Sequence, residues 1–403
     1  RAKLWVYAAS KLFNGEYKEA LSITNPDGQR LFPDKDPGKW EKAVSALKDF
    51  MTFAEDENNY ELLENEENPS QALYDLFQTY NREIIWATAA NTWGGMDGDA
   101  FDRRCTPRSE QNGMGCTGVT QELVDAFYMN DGYPVQETSF LKQSTLYTTE
   151  GTDTYKEKVV TSNNKKVSDA KNVSNRFMNR EPRFYAWMAF SGGEYGTKLV
   201  KNAPIILKMR DSEAQGYNPS ISSRDYCRTG FLCQKWAHPG LAYSENGSDN
   251  NGSLTAPRPI IRMAELYLNL AECYAALGEE NKFLEAINPV RIRAGINALK
   301  ASDVTKGKDD MIEWIRRERF VEFYGEGIRF YDMRRWLKGK EIMGKGLHGL
   351  NMVGYVGPTF TQFNKETVMP EYTEVSWDDR LYLMPLYYEE ADKSENLIQA
   401  PGY

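Results

Sequence analysis

The sequence predicts a mainly α-helical fold, a tetratricopeptide-like solenoid of helical hairpins with a loop-rich insertion that contains short β-strands. Several segments repeat apolar residues every three to four positions, which is the period of an amphipathic helix. These segments occur in pairs joined by turns, whereas the middle of the chain is rich in Gly, Asn, Ser and Asp. We expect a helical region at 1–90 whose start is missing, the insertion at 91–255 and a second helical region at 256–403.

The helices follow from apolar spacing and from the residues that end helices. In the first region this spacing predicts helices over residues 2–13, 40–53 and 69–81. In the last region the segment from Pro259 to Gly278 has the clearest helical pattern, and Gly278 suits a left-handed C-cap. A partner helix follows, and Pro289 should kink this helix or shift its start.

Two stretches have the character of β-strands. Residues 83–88 are apolar and β-like, so we expect a strand there with Trp86 in the core. Residues 226–236 alternate as a strand or hairpin does. Trp236, at the end of this stretch, can be either a core residue or a ligand contact.

The stretch 311–337 combines an amphipathic helix with many charged residues beside its core positions. Gly325 and Gly327 end this helix, and a second short helix follows. Carboxylates of this stretch, among them Glu318, Glu322 and Glu326, lie close to arginines, which favours bidentate ion pairs across the Gly325–Gly327 turn that clamp the two helices together. Carboxylates surrounded by arginines stay ionised and are poor general acids, so we interpret this cluster as structural and not catalytic.

Bulk composition excludes several classes of protein. The chain has 403 residues, of which 41% are hydrophobic and 27% charged, as in globular proteins. Its net charge of −9 argues against nucleic-acid binding, because few cations are left to neutralise phosphates. No apolar run approaches the roughly 18 residues of a membrane span. The two histidines, His238 and His348, are too few and too far apart for a zinc site or a histidine-based triad.

The five cysteines leave two interpretations open. Cys105 with Cys116 and Cys227 with Cys233 are close pairs in the sequence, and two local disulfides would suit an oxidising compartment. Reduced, unpaired thiols are the alternative. Cys273 lies inside a helical stretch, where a small buried apolar residue is expected.

Loop chemistry suggests where a ligand binds. Trp93 lies among Gly, Asn and Asp residues, where an indole can stack on a sugar ring while the polar groups accept hydroxyl protons. Trp93 can alternatively fold back as a loop anchor. The predicted ligand-binding residues are Asn91, Trp93, Asp97, Asp99, Arg103, Trp236 and Tyr243. The spacing of Asp97, Asp99 and Asp102 does not match a calcium-binding EF-hand, so we expect no cofactor and keep calcium as a weak alternative.

Six ordered phrases of the sequence resemble the SusD/RagB family of outer-membrane nutrient-binding lipoproteins. They lie at residues 7–15, 120–132, 179–186, 262–296, 317–336 and 380–403. The most specific is 317–336, where Tyr-Gly-Glu-Gly-Ile-Arg stands in place of the usual Phe-Glu-Gly-His-Arg. Pro289 departs from the family pattern, which carries a helix-compatible residue there.

The resemblance implies a function that the residues alone do not give. Members of this family bind glycans at the extracellular face of the outer membrane. They deliver oligosaccharides or polysaccharides to a SusC-type TonB-dependent transporter. The resemblance also implies attachment through an N-terminal lipid anchor, which we expect to belong to a missing N-terminal part.

Three other functions stay open at this point. A RagB-like member of the same family would bind peptides in a deeper and less aromatic site. A glycoside hydrolase would need paired carboxylates, but nothing near Asp97, Asp99 or Glu110 would raise the pKa of one of them. A cytosolic tetratricopeptide scaffold is disfavoured by the family phrases. We therefore expect a glycan-binding protein and not an enzyme.

Overall fold

The structure is a computed structural model, in which the fold is helix-dominated as predicted. It describes residues 1–56, 59–92, 104–108, 113–135, 159–160, 166–167, 174–177, 179–195, 205–222, 224–236, 255–344, 346–352, 356–369 and 376–403. The predicted candidates Trp93, Asp97, Asp99, Arg103 and Tyr243 lie outside these residues.

The α-helices of the described residues are α1 Ala2–Ala9, α2 Lys39–Asp56, α3 Pro69–Asp75, α4 Gln121–Ala126, α5 Pro182–Trp187, α6 Met263–Leu277, α7 Glu280–Arg293, α8 Lys308–Glu322, α9 Ile328–Arg335, α10 Gly339–Met343, α11 Phe360–Phe363 and α12 Tyr388–Ala391. The first three begin within one residue of the positions that apolar spacing predicts. Gly278 ends α6 with a φ of +78°, the left-handed C-cap that the sequence predicts. Pro289 lies inside α7, which still begins at Glu280, so the proline does not delay the start of this helix.

The strands are short and pair in antiparallel twos among the described residues. They are β1 Ile84–Thr92, β2 Val159–Val160, β3 Lys166–Val167, β4 Met188–Phe190, β5 Glu194–Tyr195, β6 Ile205–Ile206, β7 Phe231–Cys233, β8 Thr255–Arg262, β9 His348–Leu350 and β10 Glu366–Val368. The pairs are β1–β8, β2–β3, β4–β7, β5–β6 and β9–β10. We call the longest pair, β1 with β8, the ribbon.

Two large hydrophobic clusters form the core. One joins α1 and α2 to the hairpin of α6 and α7 and to α8, through residues such as Val6, Leu47, Leu268, Ile287 and Ile315. The other is rich in aromatic side chains and includes Phe77, Trp187, Phe231 and Tyr324. The helical hairpins therefore pack on one another, while the aromatic cluster supports the short strands.

The predicted helix from Pro259 begins later than expected. Residues 255–262 form β8, and α6 starts only at Met263. A proline is tolerated in the first turn of a helix, so Pro259 itself did not exclude the helical interpretation. Pairing with β1, which is distant in the sequence, selects the extended conformation instead. The predicted region boundaries after residues 90 and 255 consequently both fall inside the ribbon.

Trp86 is exposed, and the prediction that it lies in the core is wrong. The side chain is 58% exposed, whereas Ile84, two residues earlier, is buried. Regular alternation would place both on the same face of the strand. The register of the ribbon shifts between these two residues, and such an irregularity turns the following side chain away from its expected face.

All five cysteines lie in described parts of the chain. Neither of the two local disulfides is formed in the structure. Cys273 is fully buried, as expected.

Among the helices of the described residues, none has both the length and the apolar character needed to cross a membrane.

Candidate functional site

A cluster of buried charges holds the base of the ribbon. Arg262, the last residue of β8, donates from Nη1 to Glu83 Oε1 and to Glu322 Oε1, both at 2.7 Å. Its Nε donates to Glu326 Oε2 at 2.9 Å. All four side chains are at most 3% exposed. Because Glu83 directly precedes β1, the cluster fastens both strands of the ribbon to the end of α8.

Glu322 is the most heavily paired member of this cluster. Its carboxylate also accepts hydrogen bonds from Arg183, at 2.8 Å, and from Arg293. Burial alone would raise the pKa of Glu322, but Arg293, Arg262 and Arg183 together outweigh burial and hold the pKa well below its usual range. A buried carboxylate that stays ionised cannot donate a proton, so the structure supports the structural interpretation of this cluster.

The predicted ion pairs across the Gly325–Gly327 turn are confirmed. Arg319 in α8 binds Asp332 in α9 with two hydrogen bonds, Nε to Oδ2 at 2.7 Å and Nη2 to Oδ1 at 3.0 Å. Arg335 donates to Glu272 at 2.6 Å, and this carboxylate belongs to α6. These pairs clamp α9 onto two helices, which leaves the turn rigidly placed beneath the ribbon.

The far end of the ribbon adjoins, along the chain, the two segments that contain predicted ligand-binding residues. Ile84 pairs with Arg262 at the base, and Asn91 and Thr92 pair with Ala256 and Thr255 at the far end. Paired Cα atoms in an antiparallel ribbon lie about 4.5–5.5 Å apart. Residue 93 follows Thr92 directly and residue 254 precedes Thr255, so the segments that carry Trp93 and Tyr243 are both joined to this end.

Exposed apolar side chains accompany the ribbon. Trp86 is 58% exposed, Tyr80 57% and Ile260 39%. The Tyr80 hydroxyl donates to the carbonyl of Thr88 at 2.8 Å, which fixes this ring beside β1. An indole and a phenol that are open to solvent can stack on the apolar face of a sugar ring.

A separate concave surface lies beside α8 and α9. This cavity has a volume of about 860 Å³, and its lining includes Asp125, Asp303, Trp314, Arg317 and Arg329. Its side chains carry both signs of charge. Within the described residues, the buried Nε of Arg329 has no hydrogen-bond acceptor, and burial lowers the pKa of this side chain to about 10.

Comparison with known proteins places the chain in a family. A family model described as the SusD family matches residues 82–403. The chain belongs to the SusD family. No curated protein sequence matches it significantly.

Solved structures agree with membership in the SusD family. The protein described as BT4246, in its selenomethionine form, is 32% identical with a TM-score of 0.85, and the match covers 100% of this chain and 72% of that one. A SusD-like protein from Bacteroides fragilis, BF3747, is 26% identical with a TM-score of 0.64, over 91% of this chain and 62% of that one. A SusD-like carbohydrate binding protein from the same species, BF0978, shares the fold at 18% identity with a TM-score of 0.57, over 89% of this chain and 61% of that one.

Trp236 is a core residue in this SusD-family chain, which corrects its prediction as a ligand contact. The side chain is 3% exposed, and its ring centroid lies 4.9 Å from that of Phe77. Arg258 covers the ring at 5.5 Å. A ring enclosed in this way has little surface to offer a sugar. Asn91 keeps its place in β1, at the far end of the ribbon.

Sequence reasoning missed Tyr80 and Trp86 as surface aromatic residues. Tyr80 lies just beyond α3, in the stretch that was predicted as helix. Trp86 follows an apolar pair and therefore matches a buried strand. Only the register shift in the ribbon separates it from the core, and the partner strand that produces this shift is more than 160 residues away.

No cluster of metal ligands accompanies these residues in the described parts of the chain. Groups of three or more His, Cys, Asp or Glu side chains that could hold a metal ion are not found there. Asp97, Asp99 and Asp102 lie outside the described residues, so the expectation that no calcium is needed stays a prediction.

Proposed function

We propose that this SusD-family protein captures oligosaccharides or polysaccharides at the extracellular face of the outer membrane and delivers them to a SusC-type TonB-dependent transporter. Family membership supports a glycan-binding role at the cell surface. One observation carries the position of the site: the ribbon joins the two loop segments that contain Trp93 and Tyr243 at a single end, and exposed rings lie along the same ribbon.

The proposed site consists of Asn91, Trp93, Asp97, Asp99, Arg103 and Tyr243, with Trp86 and Tyr80 along the ribbon. Aromatic faces stack on the C–H faces of sugar rings, and the amide and carboxylate oxygens accept hydrogen bonds from hydroxyl groups. The guanidinium of Arg103 donates to ring or hydroxyl oxygens. A strand rises about 3.3 Å per residue, so Trp86 lies roughly 20 Å from the end of the ribbon. An oligosaccharide of several units can therefore reach it.

In this proposal the protein binds its ligand and does not catalyse a reaction on it. Glycoside hydrolysis needs one carboxyl group with a raised pKa beside an ionised one. Glu322, Glu326 and Asp332 are ionised, buried and paired with arginines, which makes them unsuited to that task. A SusD-family member is expected to release the glycan unchanged to the transporter.

Isothermal titration tests the binding proposal. The protein is titrated with a panel of plant, host and microbial polysaccharides, and each mixture is analysed for released sugar. We expect saturable heat with one glycan class and no release. Trp93→Ala should abolish this heat, and Trp86→Ala should weaken binding severalfold to oligosaccharides but less to disaccharides.

Tyr331→Ala is the matched control. Tyr331 is 54% exposed, much like Trp86, but it belongs to α9 and not to the ribbon. Its removal should leave the affinity unchanged. Absence of heat with every glycan, or equal losses in the Tyr331 and Trp86 variants, would argue against this site.

Delivery to a transporter is tested in cells that produce the full-length protein. Affinity purification from detergent-solubilised outer membranes should recover a TonB-dependent transporter with the tagged protein. Added protease should remove the protein from intact cells, as expected for the extracellular face. Protection from protease in intact cells, with degradation after lysis, would contradict the proposed location.

Peptide capture is the second candidate, and the cavity beside α8 and α9 favours it. A peptide carries both signs of charge, and the cavity presents Asp125 and Asp303 together with Arg329. Titration with tetrapeptides of different charge tests this function. Heat that is lost in Arg329→Ala but kept in Trp93→Ala would support peptide binding. The exposed Arg380→Ala serves as its control.

A further inference from the structure

The cavity beside α8 and α9 is separate from the ribbon. Among the described residues, its lining comes mainly from α4, α8, α9 and α10 and from residues 133–134 and 302–306, and none of it belongs to β1 or β8. Its volume of about 860 Å³ lies within the range of roughly 300–1,000 Å³ that is usual for small-molecule sites. A ligand in this cavity would leave the residues of the ribbon free.

The cavity follows the length of α8. Asp310 and Phe320 of this helix both line it, and a rise of 1.5 Å per residue separates them by about 15 Å along the helix axis. Asp303 belongs to the first end, where its carbonyl accepts a hydrogen bond from Nε1 of Trp314 at 2.9 Å. Arg329 belongs to the second end, where its guanidinium lies 4.1 Å from the ring centroid of Phe320. The two ends can therefore hold different parts of one ligand.

Arg329 is a cation whose nearest acidic neighbour in the sequence is already occupied. Asp332, three residues further along α9, is bound by Arg319 at 2.7 Å and by Arg335 at 2.9 Å. Within the described residues, the buried Nε of Arg329 has no hydrogen-bond acceptor. Burial lowers the pKa of this side chain to about 10, so it stays charged at neutral pH although its surroundings disfavour the charge. An anion placed against it would supply the missing acceptor and offset the unfavourable burial.

A second guanidinium lies one helical turn away. Arg316 precedes Phe320 by four residues, so the two share one face of α8, and both line the cavity. The guanidinium of Arg316 lies 5.5 Å from the ring centroid of Trp336. Its ion pair with Glu313 is weak, because the carboxylate is 72% exposed. This end of the cavity thus presents two guanidiniums, each placed on an aromatic ring.

We propose that the cavity beside α8 and α9 is a second binding site, which takes an acidic sugar and pairs its carboxylate or sulfate group with Arg329. A planar guanidinium binds such a group through parallel N–H···O hydrogen bonds. The inference rests on the proposed function, because membership in the SusD family is what favours a carbohydrate as the ligand.

The end near Asp303 suits the hydroxyl groups of the same ligand. Asp303 accepts hydrogen bonds from the Tyr133 hydroxyl at 3.0 Å and from the amide of Lys300 at 2.8 Å. An ionised carboxylate can accept about four hydrogen bonds, so it keeps room for sugar hydroxyls. The rings of Trp314 and Tyr133 line this end and can contact the C–H face of a sugar. A peptide whose ammonium group lies at Asp303 is the alternative that the experiment separates.

Isothermal titration with four probes tests the inference. The probes are trigalacturonate, its methyl ester, which is neutral, a sulfated galactose trisaccharide and the zwitterionic peptide trialanine. We expect saturable heat with at least one of the two acidic trisaccharides, and binding of the methyl ester that is weaker than that of trigalacturonate by at least about tenfold. No heat with either acidic trisaccharide, equal binding of acid and ester, or tighter binding of trialanine would overturn the proposal.

Variants of α9 locate the acidic group. Arg329→Gln should weaken binding of the acidic trisaccharide by about tenfold, and Arg329→Lys should weaken it less because the charge is kept. Arg334→Gln is the matched control. Arg334 also belongs to α9 and lies 3.5 Å from the ring centroid of Phe330, but it is not part of the cavity lining. Equal losses in the Arg329 and Arg334 variants would contradict the site.

Circular dichroism establishes that each variant is folded. If Arg329→Gln does not fold, Arg316→Gln replaces it, because its ion pair is exposed and the fold does not depend on it. Arg316→Gln should weaken binding of the acidic trisaccharide severalfold. An unchanged affinity in this variant, with Arg329→Gln unfolded, would count against the site.

Trp93→Ala separates this inference from the proposed function. Binding of the acidic trisaccharide should persist in this variant, because the described lining of the cavity contains no residue of the ribbon. Loss in Trp93→Ala with retention in Arg329→Gln would overturn the inference and leave the proposed ribbon site in place. Loss in Arg329→Gln, with no effect of Trp93→Ala on any glycan, would support the second site and argue against the ribbon site.

Discussion

Glu322 accepts hydrogen bonds from three arginines that come from three different elements. Arg183 belongs to α5, Arg262 to β8 and Arg293 to α7. The carboxylate is buried, and its charge is retained only because these guanidiniums surround it. The properties of this residue therefore depend on the whole arrangement and not on its helix.

The low pKa of Glu322 predicts that stability is lost in acid. A glutamate in the unfolded chain titrates near pH 4.3, above the pKa of Glu322 in the folded protein. The stabilisation is therefore complete above the unfolded pKa and is lost as the pH falls through the folded pKa. Glu322→Gln should lower the free energy of unfolding at pH 7 by about 3–5 kcal/mol. It should also make the loss in acid less steep, as measured by urea unfolding between pH 3 and pH 8.

Glu313→Gln is the control for this prediction. Glu313 forms an ion pair with Arg316 at 2.8 Å in the same helix, but its side chain is 72% exposed. Exposed pairs contribute little, so the change should stay within about 0.5 kcal/mol. A Glu322 variant that is as stable as this control would show that the buried charge is not needed.

At the scale of elements, the turn between α8 and α9 places a helix end against the aromatic core. Gly325 and Gly327 have nearly the same left-handed conformation, with φ of +75° and +78°. Their surroundings differ. A Cβ on Gly325 would lie 2.7 Å from Nε1 of Trp236, whereas a Cβ on Gly327 would meet no atom within 4 Å.

This difference predicts unequal effects of alanine at the two positions. Both substitutions impose about 1–2 kcal/mol of backbone strain, because alanine disfavours the left-handed conformation. Gly325→Ala should cost clearly more than Gly327→Ala, since the buried Trp236 must also move. Urea unfolding of the two variants measures the difference. Equal losses would mean that the indole adjusts freely and is not held in the core.

The ribbon illustrates how one element combines two environments. Its base carries Arg262, which is buried among carboxylates, whereas Trp86, which pairs with the neighbouring Ile261, is open to solvent. The change occurs within a few residues, at the register shift. A base that buried ion pairs hold in place is a suitable support for a binding site at the far end of the ribbon.

At the scale of the whole molecule, the two terminal regions share one core. Val6 of α1 and Leu47 of α2 belong to the same hydrophobic cluster as Leu268 of α6 and Ile315 of α8. The ribbon adds a second connection, because β1 and β8 come from opposite sides of the insertion.

This shared core predicts that residues 256–403 do not fold alone. Without α1, α2 and β1, the fragment would expose apolar side chains of α6 and leave Arg262 without Glu83. Circular dichroism should show cooperative thermal unfolding for the full chain and none for the fragment. A sharp unfolding transition in the fragment would establish it as an independent domain.

The sequence by itself determined what depends on near neighbours. The period of apolar residues predicted the helices, Gly278 predicted the end of α6, and the arginines and carboxylates interleaved in 311–337 predicted an ion pair between α8 and α9. These features are encoded within one or two helical turns, so a local pattern is sufficient to recognise them. The loop composition also indicated where a ligand could bind, which stays a prediction.

Only the tertiary structure decided which residues are buried in the core. Trp86 is exposed although its apolar strand predicted a core residue, and Trp236 is buried, which decides between the two roles that the sequence left open. In both cases the outcome depends on a partner that is distant in the chain: Phe77 for Trp236 and β8 for Trp86. Burial is a property of packed elements, and a single strand or loop carries no information about the surface that will cover it.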